Sequence, residues 1–228
     1  MIRTYIIDVR QFEDEELFER ALGFVSPYRR QKITLLKHWK DKNRSLGAGI
    51  ALHKALQDYG LEERIMEYDV GAQGKPYFRY YPNIHFSLSH SGHYAICSIG
   101  GTEVGNDIEW VRSGKERLAE RFFAKEELAW IRRAGTVEEQ AERMFRIWTM
   151  KESFLKVTGL GMSLPLDAFT IGVEEDGSVS VQHNVNNNSY FMKEYHMPDS
   201  LQENVRYRIA VCCEEADFTP DLQTIVIE

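Results

Sequence analysis

The segment Gly105-Asn106-Asp107-Ile108-Glu109 constrains this chain most, because a short β-strand is the local geometry that suits it. On a strand, residues two apart share a face. Asp107 and Glu109 then project together while Ile108 faces the core. Two carboxylates side by side repel unless a cation lies between them. A hard divalent ion such as magnesium is the usual one, since it accepts a few protein carboxylates and completes its shell with water and phosphate oxygens. The alternative is a pair of solvated acids at a strand end.

Strand-like and helix-like segments follow in similar order before and after this point, so a boundary is placed near residue 103, giving halves 1–103 and 104–228. In the first half a strand at Tyr5-Ile6-Ile7 precedes a helix over 14–22. Ser26-Pro27 starts a long basic helical stretch that runs to Gly60. Residues 84–89 and 95–99 alternate as strands. In the second half the spacing predicts a strand over 104–109, helices over 115–133 and 137–157, strands over 168–173 and 178–182, and late strands over 207–213 and 224–227.

Charge adds a second constraint. The net charge is -7, yet the segment from Tyr28 to Lys54 carries +7 and the remainder -14. Arg29, Arg30, Lys32, Lys37, Lys40, Lys42, Arg44 and Lys54 are opposed only by Asp41. A basic field in an acidic protein suits a discrete polyanion such as a phosphorylated ligand, or is a solvated helix face. The acidic remainder would repel long duplex nucleic acid. No run of residues is apolar enough to span a bilayer, and the first residues lack the pattern of a secretory signal. Cys97, Cys212 and Cys213 form neither a disulfide framework nor a zinc pattern, which points to reduced core thiols and to the cytoplasm.

Three further features bear chemistry. Trp148, Glu152 and Lys156 recur every four residues and lie on one helical ridge. Glu152 can add a carboxylate to a metal or act as a base, and Lys156 can face a phosphate, or the two can form an ordinary surface ion pair. Lys151 falls within an apolar stripe, so it needs a partner: a phosphate or a structural ion pair. Ser89 and His90, within Ser87-Leu88-Ser89-His90-Ser91, can grip phosphate at a strand end. Lys75, in Gly74-Lys75-Pro76, sits on a stiff turn, where it can reach a phosphate or stay solvated like most loop lysines; the spacing is not that of a P-loop.

In this order (Gly-Lys-Pro, Phe-Ser-Leu-Ser-His-Ser, Gly-x-Asp-Ile-Glu, Phe-Phe-x-x-x-Glu, Trp-x-x-Lys-Glu-Ser-x-x-Lys) the motifs resemble the phosphopantetheinyl transferase superfamily, and most closely its surfactin-synthetase-activating type. The resemblance implies an α+β fold, a monomeric pseudo-dimer of two similar α/β halves with the active site in the cleft between them. It implies transfer of the 4′-phosphopantetheine arm of coenzyme A to a serine of an apo carrier protein. It also implies magnesium on Asp107, Glu109 and Glu152, and Lys156 at the phosphates. Ser89, His90, Lys75, Arg29, Lys32 and Arg44 become coenzyme A contacts, the last three around its 3′-phosphate. Glu127, in Phe122-Phe123-Ala124-Lys125-Glu126-Glu127, matches a further family glutamate. Asn106 departs from the pattern, standing where an aliphatic residue is usual, and Tyr28 brings no charge to the basic turn. Two readings from other classes are a magnesium-dependent nuclease and a non-catalytic coenzyme A or carrier-binding module.

Overall fold

A computed structural model describes residues 1–201 and 205–227. Its strands form two principal sheets. The first has β1 (Arg3–Asp8), β4 (His85–Ser91), β5 (Tyr94–Gly100) and β11 (Gln223–Ile225) in the order β11-β1-β5-β4. The second has β6 (Val104–Trp110), β9 (Phe191–Tyr195) and β10 (Tyr207–Cys213) in the order β6-β10-β9, all antiparallel. Two ribbons, β2–β3 (Tyr68–Val70 with Pro76–Phe78) and β7–β8 (Thr170–Val173 with Val179–Gln182), flank them.

Each principal sheet carries one long helix: α3 (Trp39–Gln57) lies on the first and α6 (Val137–Thr158) on the second. The mixed α+β class is as the sequence implies. Period-2 alternation explains how three cores coexist. Tyr5 and Ile7 of β1, with Ala95, Cys97 and Ile99 of β5, face the core beneath α3. Ala210 and Cys212 of β10 face the core beneath α6. The intervening residues Ile6, Ile96, Ile209 and Val211, with Ile108 of β6, meet in a third core between the halves. Strands buried on both faces read as continuous apolar runs. Each of these fully buried aliphatic side chains contributes about 1.5–3 kcal/mol relative to exposure.

Local signals set the helix ends. Asp14 caps α1 (Glu15–Leu22) by accepting from the Leu17 N–H at 2.8 Å, and Ser26 caps α2 (Pro27–Leu35) by accepting from Arg29 N–H at 3.3 Å. Thr136 caps α6, which stops at Gly159 with φ of +68°.

The structure corrects two expectations. The basic stretch from Ser26 is two helices, because Leu36 and His38 take extended dihedrals between α2 and α3. The predicted helix over 115–133 is also two, α4 (Glu116–Phe122) and α5 (Lys125–Arg132), broken where Phe123 and Ala124 are extended. The last strand of the described chain, β11, pairs with β1 in parallel.

Lys151 and Glu127 take a structural role. Both are fully buried, 2.7 Å apart. Lys151 also donates to the carbonyls of Leu166 and Phe169, and Glu127 accepts from the N–H groups of Ile171 and Ala124. The pair ties α5, α6 and β7 together and has no free valence for a phosphate. Burial pushes the Glu127 carboxyl up and the Lys151 ammonium down, while each opposes the other's shift. Lys151→Met strands the glutamate in the core. It is expected to cost about 3–5 kcal/mol in urea unfolding, with part recovered on adding Glu127→Gln.

Candidate active site

The site lies where the free edges of the two sheets meet. Ser87, Ser89 and Ser91 of β4 point toward β6, and their hydroxyls accept the backbone N–H groups of Asn106, Ile108 and Trp110 at 3.0, 3.4 and 3.1 Å. Side-chain hydroxyls thus take the place of the carbonyls a neighbouring strand would offer. Asn106, fully buried, strengthens the seam: its amide donates to the carbonyl of Ser87 and to the hydroxyl of Ser98, both at 3.0 Å. The polar residue at this position is therefore a cross-link between halves.

The same serines hold the acids. Ser89 donates to Asp107 Oδ1 at 2.7 Å, and Ser91 donates to Glu109 Oε2 at 2.8 Å. Helix α6 approaches from the other side. A Cβ on Gly105 would lie 1.9 Å from the Ser153 carbonyl oxygen and 2.5 Å from the Val157 nitrogen, so backbone touches backbone there. That contact brings Lys156 to Asp107, with Nζ 2.9 Å from Oδ1 and 2.8 Å from the Asn106 carbonyl. Glu152 stands one turn earlier on the same ridge.

Electrostatics bind these groups into one cluster. Burial pushes the Glu152 carboxyl up, and the charges of Asp107 and Glu109 push it further against the pull of Lys156. Burial and Asp107 likewise raise Glu109, opposed by Ser91. Among the described residues, no three His, Cys, Asp or Glu side chains already stand in metal-ligating geometry. The donor set nevertheless fits a hard divalent cation. It is all oxygen, its members repel, and Asp107 Oδ2 is buried without any hydrogen-bond partner. Among the described residues, Lys156 is the cation that pairs with Asp107.

The other expected contacts divide. Lys75, Glu152 and Lys156 line one cleft of about 250 Å³ with Phe86, Leu88 and Met162. Lys75 donates to Glu103 at 2.6 Å and to the Val104 carbonyl at 3.0 Å, and burial lowers its pKa. His90, opposite in direction to Ser89 on β4, reaches the surface. Desolvation, then the charges of Arg44 and Lys156, hold it below the usual imidazole value, with Asp41 opposing. Arg44 is itself bonded to Asp41. Lys32 is exposed on α2 with its ammonium 4.8 Å from the Tyr28 ring centre. Arg29 does not join them. It is 6% exposed, packed beneath Gly49, and its guanidinium faces the fully buried Glu63 at 3.5 Å. A buried carboxylate needs a partner, and Arg29 brings its charge beside it. The hydroxyl proton of Ser89 is committed to Asp107.

A sequence model described as the 4′-phosphopantetheinyl transferase superfamily matches residues 103–212, the stretch that holds every carboxylate of the cluster and Lys156. The 4′-phosphopantetheinyl transferase Sfp of Bacillus subtilis (strain 168) is 32% identical over 215 residues, covering 94% of this chain and 93% of the relative. The chain belongs to the 4′-phosphopantetheinyl transferase superfamily. Other members are similar across both halves. The transferase ffp of Bacillus subtilis is 34% identical over 94% of this chain and 93% of its own length. The transferase gsp of Aneurinibacillus migulanus is 29% identical over 81% and 77%.

The residues that the sequence left unassigned, for this member of the superfamily, are Ser87, Ser91, Asn106 and Glu103. The alternation of three serines on one strand face is the signal that could have marked the seam. Gly105→Ala is expected to force α6 away from β6 and to cost about 1–3 kcal/mol or more in unfolding experiments. Gly101→Ala, where an added Cβ meets nothing within 4 Å, is expected to be neutral.

Proposed function

We propose that this chain transfers the 4′-phosphopantetheine arm of coenzyme A to a serine of an apo peptidyl or acyl carrier protein and releases adenosine 3′,5′-bisphosphate. The observation that carries the reading is the cluster at the seam. Three mutually repelling acids, one with a buried unpartnered oxygen, lie beside Lys156 in a member of this superfamily. Asp107, Glu109 and Glu152 would hold magnesium, which when bound supplies Lewis-acid charge to the pyrophosphate.

Lys156 places a point charge over the phosphates, where negative charge grows as the bond to the leaving group breaks. Glu152 accepts the proton of the carrier serine hydroxyl. The serine oxygen bonds to the β-phosphorus, and the bond from that phosphorus to the bridging oxygen breaks with its electrons on the bisphosphate. Lys32, Arg44 and His90 receive the 3′-phosphate end, and Lys75 the adenine side of the cleft. Ser89 acts by fixing Asp107. The working form is a cytoplasmic monomer. The three cysteines are free and buried, which suits a reducing compartment.

Glu152→Gln is expected to slow transfer by about 10²–10⁴-fold while coenzyme A binding changes little. Transfer at the wild-type rate would contradict the assignment. A second outcome follows from the raised acids. In metal-free protein the fold holds the protons of Glu109 and Glu152 more tightly than the unfolded chain does. Their contribution to stability is complete below the ordinary glutamate pKa and is lost as pH rises through the raised values. Magnesium is therefore expected to raise the melting temperature more at about pH 8 than at about pH 5. The Glu109→Gln/Glu152→Gln double variant is expected to lose that difference in a thermal-shift series.

A further inference from the structure

The turn between β2 and β3, residues 71–75, reaches across to β6. It closes on itself: the Gly71 N–H donates to the Lys75 carbonyl and the Gly74 N–H to the Gly71 carbonyl, both at 2.9 Å. Its tip packs on the segment after α6, where a Cβ on Gly161 would lie 3.1 Å from the Cβ of Gln73. Its last residue, Lys75, is held at the start of β6. The ammonium donates to Glu103 Oε2 at 2.6 Å and to the Val104 carbonyl at 3.0 Å. Glu103 is held in turn from the start of β4, with His85 Nδ1 3.0 Å from its other oxygen, Oε1. A carboxylate only accepts, so His85 donates there.

Lys75 stands between two clefts. It lines the seam cleft with Glu152 and Lys156, and it lines a neighbouring cleft of about 320 Å³ with Tyr77, Thr158 and Glu103. Glu103 lines the neighbouring cleft and not the seam cleft. Its carboxylate therefore stands behind Lys75, where it grips the ammonium without facing an anion bound at the seam. A lysine ammonium has three N–H donors. Among the described residues, Glu103 and Val104 take two of them, which leaves one for a ligand oxygen. The charges fit the same arrangement. Burial lowers the Lys75 pKa, and Glu103 opposes that shift and so favours the charged amine. Burial alone would raise the Glu103 carboxyl, but the His85 hydrogen bond and the Lys75 charge bring it down to about 2.

We propose, on the reading that this chain binds coenzyme A at the seam, that Glu103 is a positioning residue for that ligand: backed by His85, it fixes Lys75 and the 71–75 turn as one wall of the cleft. Position and charge have opposite consequences here. Coenzyme A is an anion, so by Coulomb's law alone the loss of a nearby carboxylate tightens its binding. Where the carboxylate serves by aiming Lys75, its loss frees the ammonium and the turn, and binding weakens although the site has become more positive.

The test is calorimetric titration of the full chain with coenzyme A and magnesium, without a carrier protein, for the parent, Glu103→Gln, Lys75→Ala and the double variant. The Glu103 side chain is 47% exposed and glutamine keeps its shape, so Glu103→Gln is expected to melt close to the parent. Glu103→Gln is expected to raise the Kd about tenfold. The double variant is expected to bind no more weakly than Lys75→Ala, because Glu103 acts through that lysine. Glu103→Asp keeps the charge on a shorter arm and is expected to fall between the parent and Glu103→Gln. With a carrier present, the loss is expected in KM for coenzyme A rather than in kcat. Equal or tighter binding by Glu103→Gln overturns the inference. So do losses that add in the double variant, which would make Glu103 a separate contact or a general support of the fold. Binding is read without a carrier, so such a failure is distinct from a failure of transfer.

Discussion

The edge-to-edge contact of β4 with β6 is the constraint on which the site depends. Two sheets that each end in an open edge would ordinarily leave backbone N–H groups unpaired or exposed to pairing with another chain. Here three serine hydroxyls accept those groups, and the hydroxyl protons of two of them, at Ser89 and Ser91, go on to Asp107 and Glu109. One set of hydrogen bonds therefore joins the halves and aims the carboxylates. Separating the halves would disarm the acids, and burying the acids elsewhere would open the seam.

Two lysines five residues apart on α6 show how partners decide role. Lys151 is fully buried, with Glu127 and two carbonyls in fixed positions, and every donor direction it needs is taken inside the core. Lys156 is partly exposed and touches Asp107 and a single carbonyl at the rim of the cleft. The first holds α5, α6 and β7 together. The second can keep a phosphate while remaining near a carboxylate. Arg29 and Arg44 divide in the same way within the basic stretch, one packed against Glu63 and the other near His90.

Period and motif made much of this legible beforehand. Alternation exposed β4, β5, β6 and β10, and four-residue spacing set Glu152 and Lys156 on one ridge. The order of the motifs brought Asp107, Glu109, Glu152 and Lys156 together in one family pattern. What stayed hidden depends on distant pairing. The break at Leu36–His38 lies in a run with continuous helical spacing. The pairing of β11 with β1 joins the two ends of the described chain. Burial of Arg29 depends on Glu63, thirty-four residues on, and charge counting gives it the same weight as its exposed neighbours. Asn106 stood out only as a departure from the family pattern, since nothing local reveals Ser98 and the Ser87 carbonyl around it.

The central claim is that the acids and lysine assembled at this seam move a phosphopantetheine arm. Its most direct test is the mass of apo peptidyl and acyl carrier proteins after incubation with this chain, coenzyme A and magnesium. The account predicts a gain of about 340 Da on the carrier serine, the mass of the arm, and none when the metal is chelated. No gain on any such carrier, with the protein folded and coenzyme A bound, would contradict it.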